Sequence, residues 1–227
     1  MAKKKKDCEN TCFMCKHIIP AWKELINANR EIIKLKKGDQ FIQEGTPAEG
    51  IYFVQEGVIK VHKHWGDKES IVRFAKKGNI VGHRGLSSSQ TLFPISATAL
   101  ENSEVCFIPI DFFKTILKGN SDFTYEMLLF YADELQISEQ KTSNQVQLSV
   151  KGRLAWSILQ LEQKMGIEGD GYIKITLSKT DIAAYIGSTY ETIYRMMMEL
   201  ENEKIIETAN KRIKILDRQK LIESSLI

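Results

Sequence analysis

The chain has 227 residues, 43% hydrophobic and 27% charged, the make-up of an ordinary globular protein and enough length for two domains. Its formal net charge is +3, and neither part is strongly basic: residues 1–149 hold 20 Lys and Arg against 18 Asp and Glu, and residues 150–227 hold 12 against 11. Collagen-like and low-complexity classes are excluded, no run of about 18 apolar residues suggests a membrane span, and a nucleic-acid reading must rest on a motif rather than on bulk charge.

The N-terminus, MAKKKKDCENTC, is basic but lacks the apolar stretch of a secretory signal, so a cytoplasmic location with no membrane partner is expected. Lys3–Lys6 read as a solvated tail. Residues 1–17 read as a Cys-rich arm. The four cysteines are Cys8, Cys12, Cys15 and Cys106, three of them within eight residues. In a cytosolic chain such clustering points to metal or redox chemistry more than to a disulfide frame. Residues 18–29 (IIPAWKELINAN) predict a short amphipathic helix after Pro20.

From Glu31 to Ile110 short β-rich runs alternate with glycine turns: EIIKL, IYFVQEG, VIKVHKHWGD, SIVRFAKKGNIVG, ISATAL and SEVCFIPI. This spacing predicts an antiparallel sandwich or barrel. A long helix over 121–147 follows, with Ser121 as its expected N-cap. Its apolar residues fall into two sets, Phe123, Met127, Phe130 and Ile137, and Leu128, Tyr131 and Leu135. Apolar character on more than one side suggests a dimer seam; packing on the β domain alone is the alternative.

Beyond Val150 the texture is helical. VKGRLAWSILQLEQKMG predicts an amphipathic helix with Leu154, Ile158 and Leu161 on one stripe, and GYIKITL predicts a strand. Residues 179–202 have the spacing of a helix-turn-helix: a first helix Lys179–Ile186, Gly187 at the tight turn, and a second helix from Ser188 or Thr189. Ile182, Ile186, Ile193 and Met197 form the expected inner face, with Met196–Met198 read mainly as core. Thr189, Glu191, Thr192 and Arg195 lie outside. Arg195 can donate twice to guanine O6 and N7, and Glu191 can accept from cytosine N4. The alternatives are a Ser188–Glu191 capping box and a surface ion pair. KIIETANKRIKIL predicts a two-stranded wing whose Lys211, Arg212 and Lys214 could meet phosphates or stand on a solvated edge.

These segments resemble the bacterial CRP/FNR transcription factors over nearly the whole chain. The resemblance rests on the glycine-punctuated β-roll with its GNIVG turn, the ISATALENSEVCFIP strand pair, the long helix, VKGRLAWSILQL and, most specifically, LSKTDIAAYIGSTYETIYRMMMELENEKII. It implies an α+β chain: a double-stranded β-helix (jelly-roll, cyclic-nucleotide-binding-like) domain at 18–120 behind the 1–17 arm, a dimerisation helix at 121–147, and a winged helix-turn-helix at 148–227. It implies a homodimer on a palindromic double-stranded DNA operator and, by family analogy, recruitment of RNA polymerase. Its E-x-x-x-R pair falls on Glu191 and Arg195, with Tyr190 at the position just before the Glu and Tyr194 just before the Arg; Lys179, Thr189, Lys211 and Arg212 are further candidate DNA contacts of this sequence. Tyr190 and Tyr194 differ from well-known members.

Cyclic-nucleotide binders in this family carry a Gly-Glu pair and an Arg-Ser or Arg-Thr pair. Here His83 holds the Glu position and Phe93–Pro94 the other, so cAMP is not expected. The FNR branch holds a [4Fe–4S] cluster on three N-terminal cysteines and one distant cysteine, which resembles Cys8, Cys12, Cys15 and Cys106, although Cys8-x3-Cys12-x2-Cys15 is not that branch's usual spacing. A four-thiolate zinc site, a thiol–disulfide switch, an unknown effector in the roll, and Cys106 as a plain buried residue are the other readings. A histidine at a glycine turn such as His83 is expected to face solvent. A cupin-like enzyme is a further alternative; His62-x-His64 lacks a clear third ligand for it.

Overall fold

The computed structural model describes residues 12–88 and 91–226; Cys8 and Lys3–Lys6 lie outside them. The chain divides into two compact units, with the breaks at His64/Trp65, Ile71/Val72 and Glu134/Leu135.

The first unit opens with α1 (Phe13–His17), a 3-10 turn (Pro20–Trp22) and α2 (Lys23–Asn29). The 18–29 helix is therefore shorter than expected and starts with the proline turn. Eight strands follow: β1 (Glu31–Leu35), β2 (Gln40–Ile42), β3 (Gly50–Glu56), β4 (Val58–Trp65), β5 (Lys68–Lys76), β6 (Ile80–Val81), β7 (Ser96–Ala99) and β8 (Ser103–Pro109). They form two four-stranded sheets in the orders β1-β8-β3-β6 and β2-β7-β4-β5. Pairings β1–β8, β3–β8, β3–β6, β2–β7 and β4–β7 are antiparallel. Helix α3 (Ile110–Gly119) follows, and α4 (Ser121–Gln147) begins in this unit and runs past the Glu134/Leu135 break.

The β1-β8-β3-β6 sheet is apolar on both faces, which explains why β3 reads as a continuous hydrophobic run instead of alternating. Tyr52, Val54 and Val105 turn into the roll and pack with Ile59, Val61, Ala97 and Ala99. Ile51, Phe53, Cys106 and Ile108 turn the other way, onto a layer built from Met14, Ile26, Phe113, Ile116, Phe123 and Met127. The period of two in β8 thus decides that Cys106 faces the helices and not the roll interior.

This layer corrects the reading of residues 1–17 as one polar arm. Residues 12–17 are docked: Met14 and Cys12 are buried, Phe13 packs against Phe123 and Phe130, and the Phe13 N–H donates to Gly78 O at 3.2 Å. The N-cap of α4 is Asn120, whose Oδ1 accepts from Phe123 N–H at 3.0 Å, and not Ser121. Asn and Ser are comparable N-caps, and Asn120 stands three residues before the N–H that it accepts from.

The second unit carries α5 (Val150–Met165), α6 (Lys179–Ile186), α7 (Tyr190–Asn202), β9 (Ile206–Ala209), β10 (Arg212–Ile215) and α8 (Arg218–Ser224). Ser149 caps α5, and Leu154, Ile158 and Leu161 are buried as its stripe requires. The expected strand at 171–177 does not form; only an isolated bridge joins Ile167 and Ile173. Tyr172, Ile173, Ile175 and Leu177 are all buried, and Ile173 and Leu177 N–H groups donate singly to Ile213 O and Lys211 O. Helix α8, which sequence patterning does not announce, packs on α5 through Leu221, with Asp217 as its cap.

Candidate functional site

The helix-turn-helix is assembled from local signals. Ser178 and Asp181 form a reciprocal capping box on α6, and Gly187 ends it in the left-handed region at φ +73°. Thr189 caps α7 by accepting from the Thr192 N–H at 3.3 Å, so the Ser188–Glu191 box is not the cap in use. Ile182, Ala183, Ile186, Ile193, Met197 and Leu200 are buried between the two helices and their support. Of the three consecutive methionines only Met197 is core; Met198 is exposed.

On the opposite side of α7, Glu191 and Arg195 are both exposed, and among the described residues they make no ion pair with each other or with any neighbour. The surface-pair alternative therefore does not describe them. Tyr190 and Tyr194 stack with ring centroids 6.3 Å apart, and Lys179 Nζ lies 4.4 Å from the Tyr194 centroid. A cleft of about 340 Å³ lies between the starts of α6 and α7 and the wing, edged by Lys179, Tyr190, Asn210 and Lys211. The β9–β10 turn is Asn210–Lys211, both at positive φ, the type I′ signature of a two-residue hairpin. It lifts the exposed Lys211 to the wing tip.

Arg212 is placed differently from the expectation. Its guanidinium pairs with Glu168 at 2.6 Å and Asp170 at 2.9 Å and covers the Tyr172 ring at 4.6 Å. The Tyr172 N–H first, and Arg212 with it, hold the Asp170 carboxyl below its ordinary value. Lys214 likewise donates to Asp170 O at 3.2 Å. Both cations hold the wing to the 166–172 loop.

In the first unit, Cys12 and Cys106 are buried in one apolar cluster and Cys15 packs against it. Cys12 caps α1, its Sγ accepting from Cys15 N–H at 3.4 Å. All three are thiols and not disulfides. Cys8 is outside the described residues. His62 and His64 stand on one face of β4 with centroids 5.1 Å apart, and His62 Nε2 bonds Thr98 Oγ1 at 2.9 Å.

His83 is the residue the sequence misplaced. Gly82, in the left-handed region, turns it inward, where it is 2% exposed against Phe130 and Tyr131. Neither ring nitrogen has a hydrogen-bond partner. Burial, with Arg73 and Arg84 adding, holds the imidazole well below its ordinary value. Both arginines pair with Glu134, at 3.3 and 3.5 Å. Tyr131 donates to His83 O at 2.6 Å, its phenol pushed up to about 12 by burial. Phe93, at the position of the cyclic-nucleotide Arg, packs inside the roll.

Residues 32–120 match the family model described as a cyclic nucleotide-binding domain, and residues 152–224 match the Crp-like helix-turn-helix domain. The chain belongs to the CRP/FNR family. It is a DNA-binding transcription regulator, and the cupin-like enzyme reading falls with that. Among its relatives, the anaerobic regulatory protein of Bacillus subtilis (strain 168) is 28% identical over 186 residues, covering 81% of this chain and 78% of that one. The cAMP-activated global transcriptional regulator CRP of Escherichia coli O6:H1 is 26% identical over 187 residues, covering 80% and 88%. The fold of this CRP/FNR chain matches FixK2 from Bradyrhizobium japonicum with a TM-score of 0.76 at 21% identity, over 86% of this chain and 96% of that one. Among the described residues no helix is long and apolar enough to cross a membrane.

Proposed function

We propose that this regulator acts as a homodimer on two-fold symmetric DNA, and that its affinity is set by a redox-sensitive [4Fe–4S] centre held by Cys8, Cys12, Cys15 and Cys106. The observation that carries the sensor reading is the burial of Cys12 and Cys106 in one cluster with Cys15 against it. The donor set suits a cubane in kind and number: Cys12 caps a helical turn, Cys15 is three residues on, Cys106 lies in the same buried cluster, and Cys8 precedes Cys12 by four residues. A bound cluster supplies reactivity toward oxidants. The chain's own part is mechanical. Cys12 caps α1 and Cys15 lies on it, and Phe13 of α1 packs on Phe123 and Phe130 of α4, so a change at the thiols acts directly on that helix.

Dimerisation through α4 is supported by its outer face. Tyr125, Leu128, Ala132 and Leu135 recur at spacings of three and four and are exposed, Leu128 by 63% and Leu135 by 59%. That spacing of exposed apolar residues is the one a coiled-coil seam uses. Each protomer then presents Glu191 and Arg195 to one half-site, the half-sites lie about one helical turn apart, and Lys179, Thr189 and Lys211 contact phosphates. RNA polymerase recruitment follows by family analogy. cAMP is not expected as the signal, because Phe93 fills the place of the phosphate-binding Arg.

Anaerobic purification with a visible spectrum and iron and sulfide analysis tests the sensor. A brown protein with broad absorption near ~400 nm and about four irons per chain is expected. Zinc in place of iron supports a four-thiolate zinc site. A colourless protein that takes up no cluster on reconstitution overturns the reading.

A second reading is favoured by His83. A buried imidazole with two unpartnered nitrogens beside Arg73 and Arg84 is costly unless something completes it, and a small effector in the roll could do so. Retention of the redox response in a His83→Gln variant would separate the two.

A further inference from the structure

The outer face of α7 carries two different rows of side chains. One is polar: Glu191 and Arg195, four residues apart. The other is apolar: Tyr190, Tyr194 and Met198 follow at the same spacing and are 47%, 45% and 38% exposed. The buried side of α7 is already filled by Ile193, Met197 and Leu200, so packing within this unit does not account for the second row. The row is also ordered. Tyr190 and Tyr194 lie nearly parallel, with 23° between their planes, and Lys179 Nζ sits over the Tyr194 ring. A cation held there restrains the ring and adds attraction of its own.

A helix in the major groove meets mostly hydrogen-bonding base edges. The apolar group that the groove offers is the C5-methyl of thymine; a 5-methylated cytosine presents the same group. We propose that Tyr190 and Tyr194 are specificity-determining residues that read pyrimidine C5-methyl groups beside the base pairs engaged by Glu191 and Arg195. Lys179 is a positioning residue for the Tyr194 ring. The inference rests on α7 being the helix that enters the groove. It extends that reading from which residues face DNA to which chemical group the aromatic pair selects.

The test uses the full-length dimer and a duplex recovered by it from a random-sequence pool. Arg195→Ala marks the base pairs that depend on that side chain. At the neighbouring positions thymine is replaced by deoxyuridine, which removes only the methyl, and separately by cytosine or 5-methylcytosine, which differ only in the methyl. Burying one methyl corresponds to about a four-fold change in affinity, or about 15-fold with both half-sites changed. The wild type is expected to lose about this much with deoxyuridine and to prefer 5-methylcytosine over cytosine. A thymine effect without a 5-methylcytosine effect would assign the selection to thymine alone. Tyr190→Ala and Tyr194→Ala are expected to bind thymine and deoxyuridine duplexes alike, and Tyr194→Phe to keep the discrimination. Lys179→Gln should shrink the thymine-to-deoxyuridine ratio, a readout that loss of a phosphate contact leaves unchanged.

Equal wild-type affinity for thymine and deoxyuridine duplexes, or unchanged discrimination in both alanine variants, overturns the proposal. In that case a base preference still lost in Arg195→Ala leaves α7 as the reading helix. A base preference retained in Arg195→Ala removes that reading and the proposal with it.

Discussion

At the scale of single residues, the outer face of α7 and the buried His83 behave in opposite ways. Arg195 is exposed and makes no ion pair among the described residues, so its replacement should leave the fold intact and act on DNA alone. Arg195→Ala is expected to cost about 1–3 kcal/mol per half-site and to relax preference at one base pair, measured by anisotropy titration against single-base variants of a selected duplex. His83 acts through the fold. Its native pKa lies below the unfolded value near 6.5, so below that pH the unfolded chain binds a proton that the native chain refuses. Its contribution is therefore intact above about pH 6.5 and falls as the pH drops. Denaturation midpoints from pH 7.5 to 5.5 should fall more steeply in the wild type than in His83→Gln; parallel curves would contradict this. His83 was not legible in the sequence because a glycine turn signals exposure, while its burial comes from Phe130 and Tyr131, some 48 residues on.

At the scale of elements, the helix-turn-helix was legible nearly to the residue because its signals are local. Ser178 with Asp181 starts α6 and Gly187 stops it, all within one short segment. Gly187 is at φ +73°, and a Cβ there would stand 2.7 Å from Gln145 Nε2. Gly187→Ala is expected to destabilise the protein by about 1–2 kcal/mol, read from urea denaturation. What failed at this scale depends on tertiary partners. The 171–177 segment has strand-like composition, but all of its apolar side chains are buried and it bonds to Ile213 and Lys211 only singly. The pairing of Arg212 with Glu168 was likewise hidden, because that partner is 44 residues away in the chain. The docking of α1 was hidden because its apolar residues, Cys12 to Cys15 and Ile18, span too short a segment to show a period.

For the whole molecule, the division into a β-roll, a long helix and a winged helix was readable from the change in texture near Glu31, Ile110 and Val150. The function beyond the family rests on surfaces that one chain leaves open. Leu135 is on the exposed stripe of α4, away from the Phe123 and Met127 side that packs in the cluster between the helices and the β1-β8-β3-β6 sheet. Leu135→Glu should leave the helix content unchanged, convert the dimer to monomer in sedimentation, and lower affinity for a two-fold symmetric duplex much more than for a single half-site. A dimer that persists would place the seam elsewhere.

The central claim is that cysteine chemistry in the first unit sets the DNA affinity of the second. The measurement that tests it most directly is an anaerobic titration of a selected symmetric duplex, repeated after exposure to air, with wild type beside Cys106→Ala. The account predicts a shift of about 5-fold or more in the wild type, and a Cys106→Ala affinity that is the same before and after air. An unchanged wild-type affinity, or a Cys106→Ala protein that shifts as the wild type does, would contradict it.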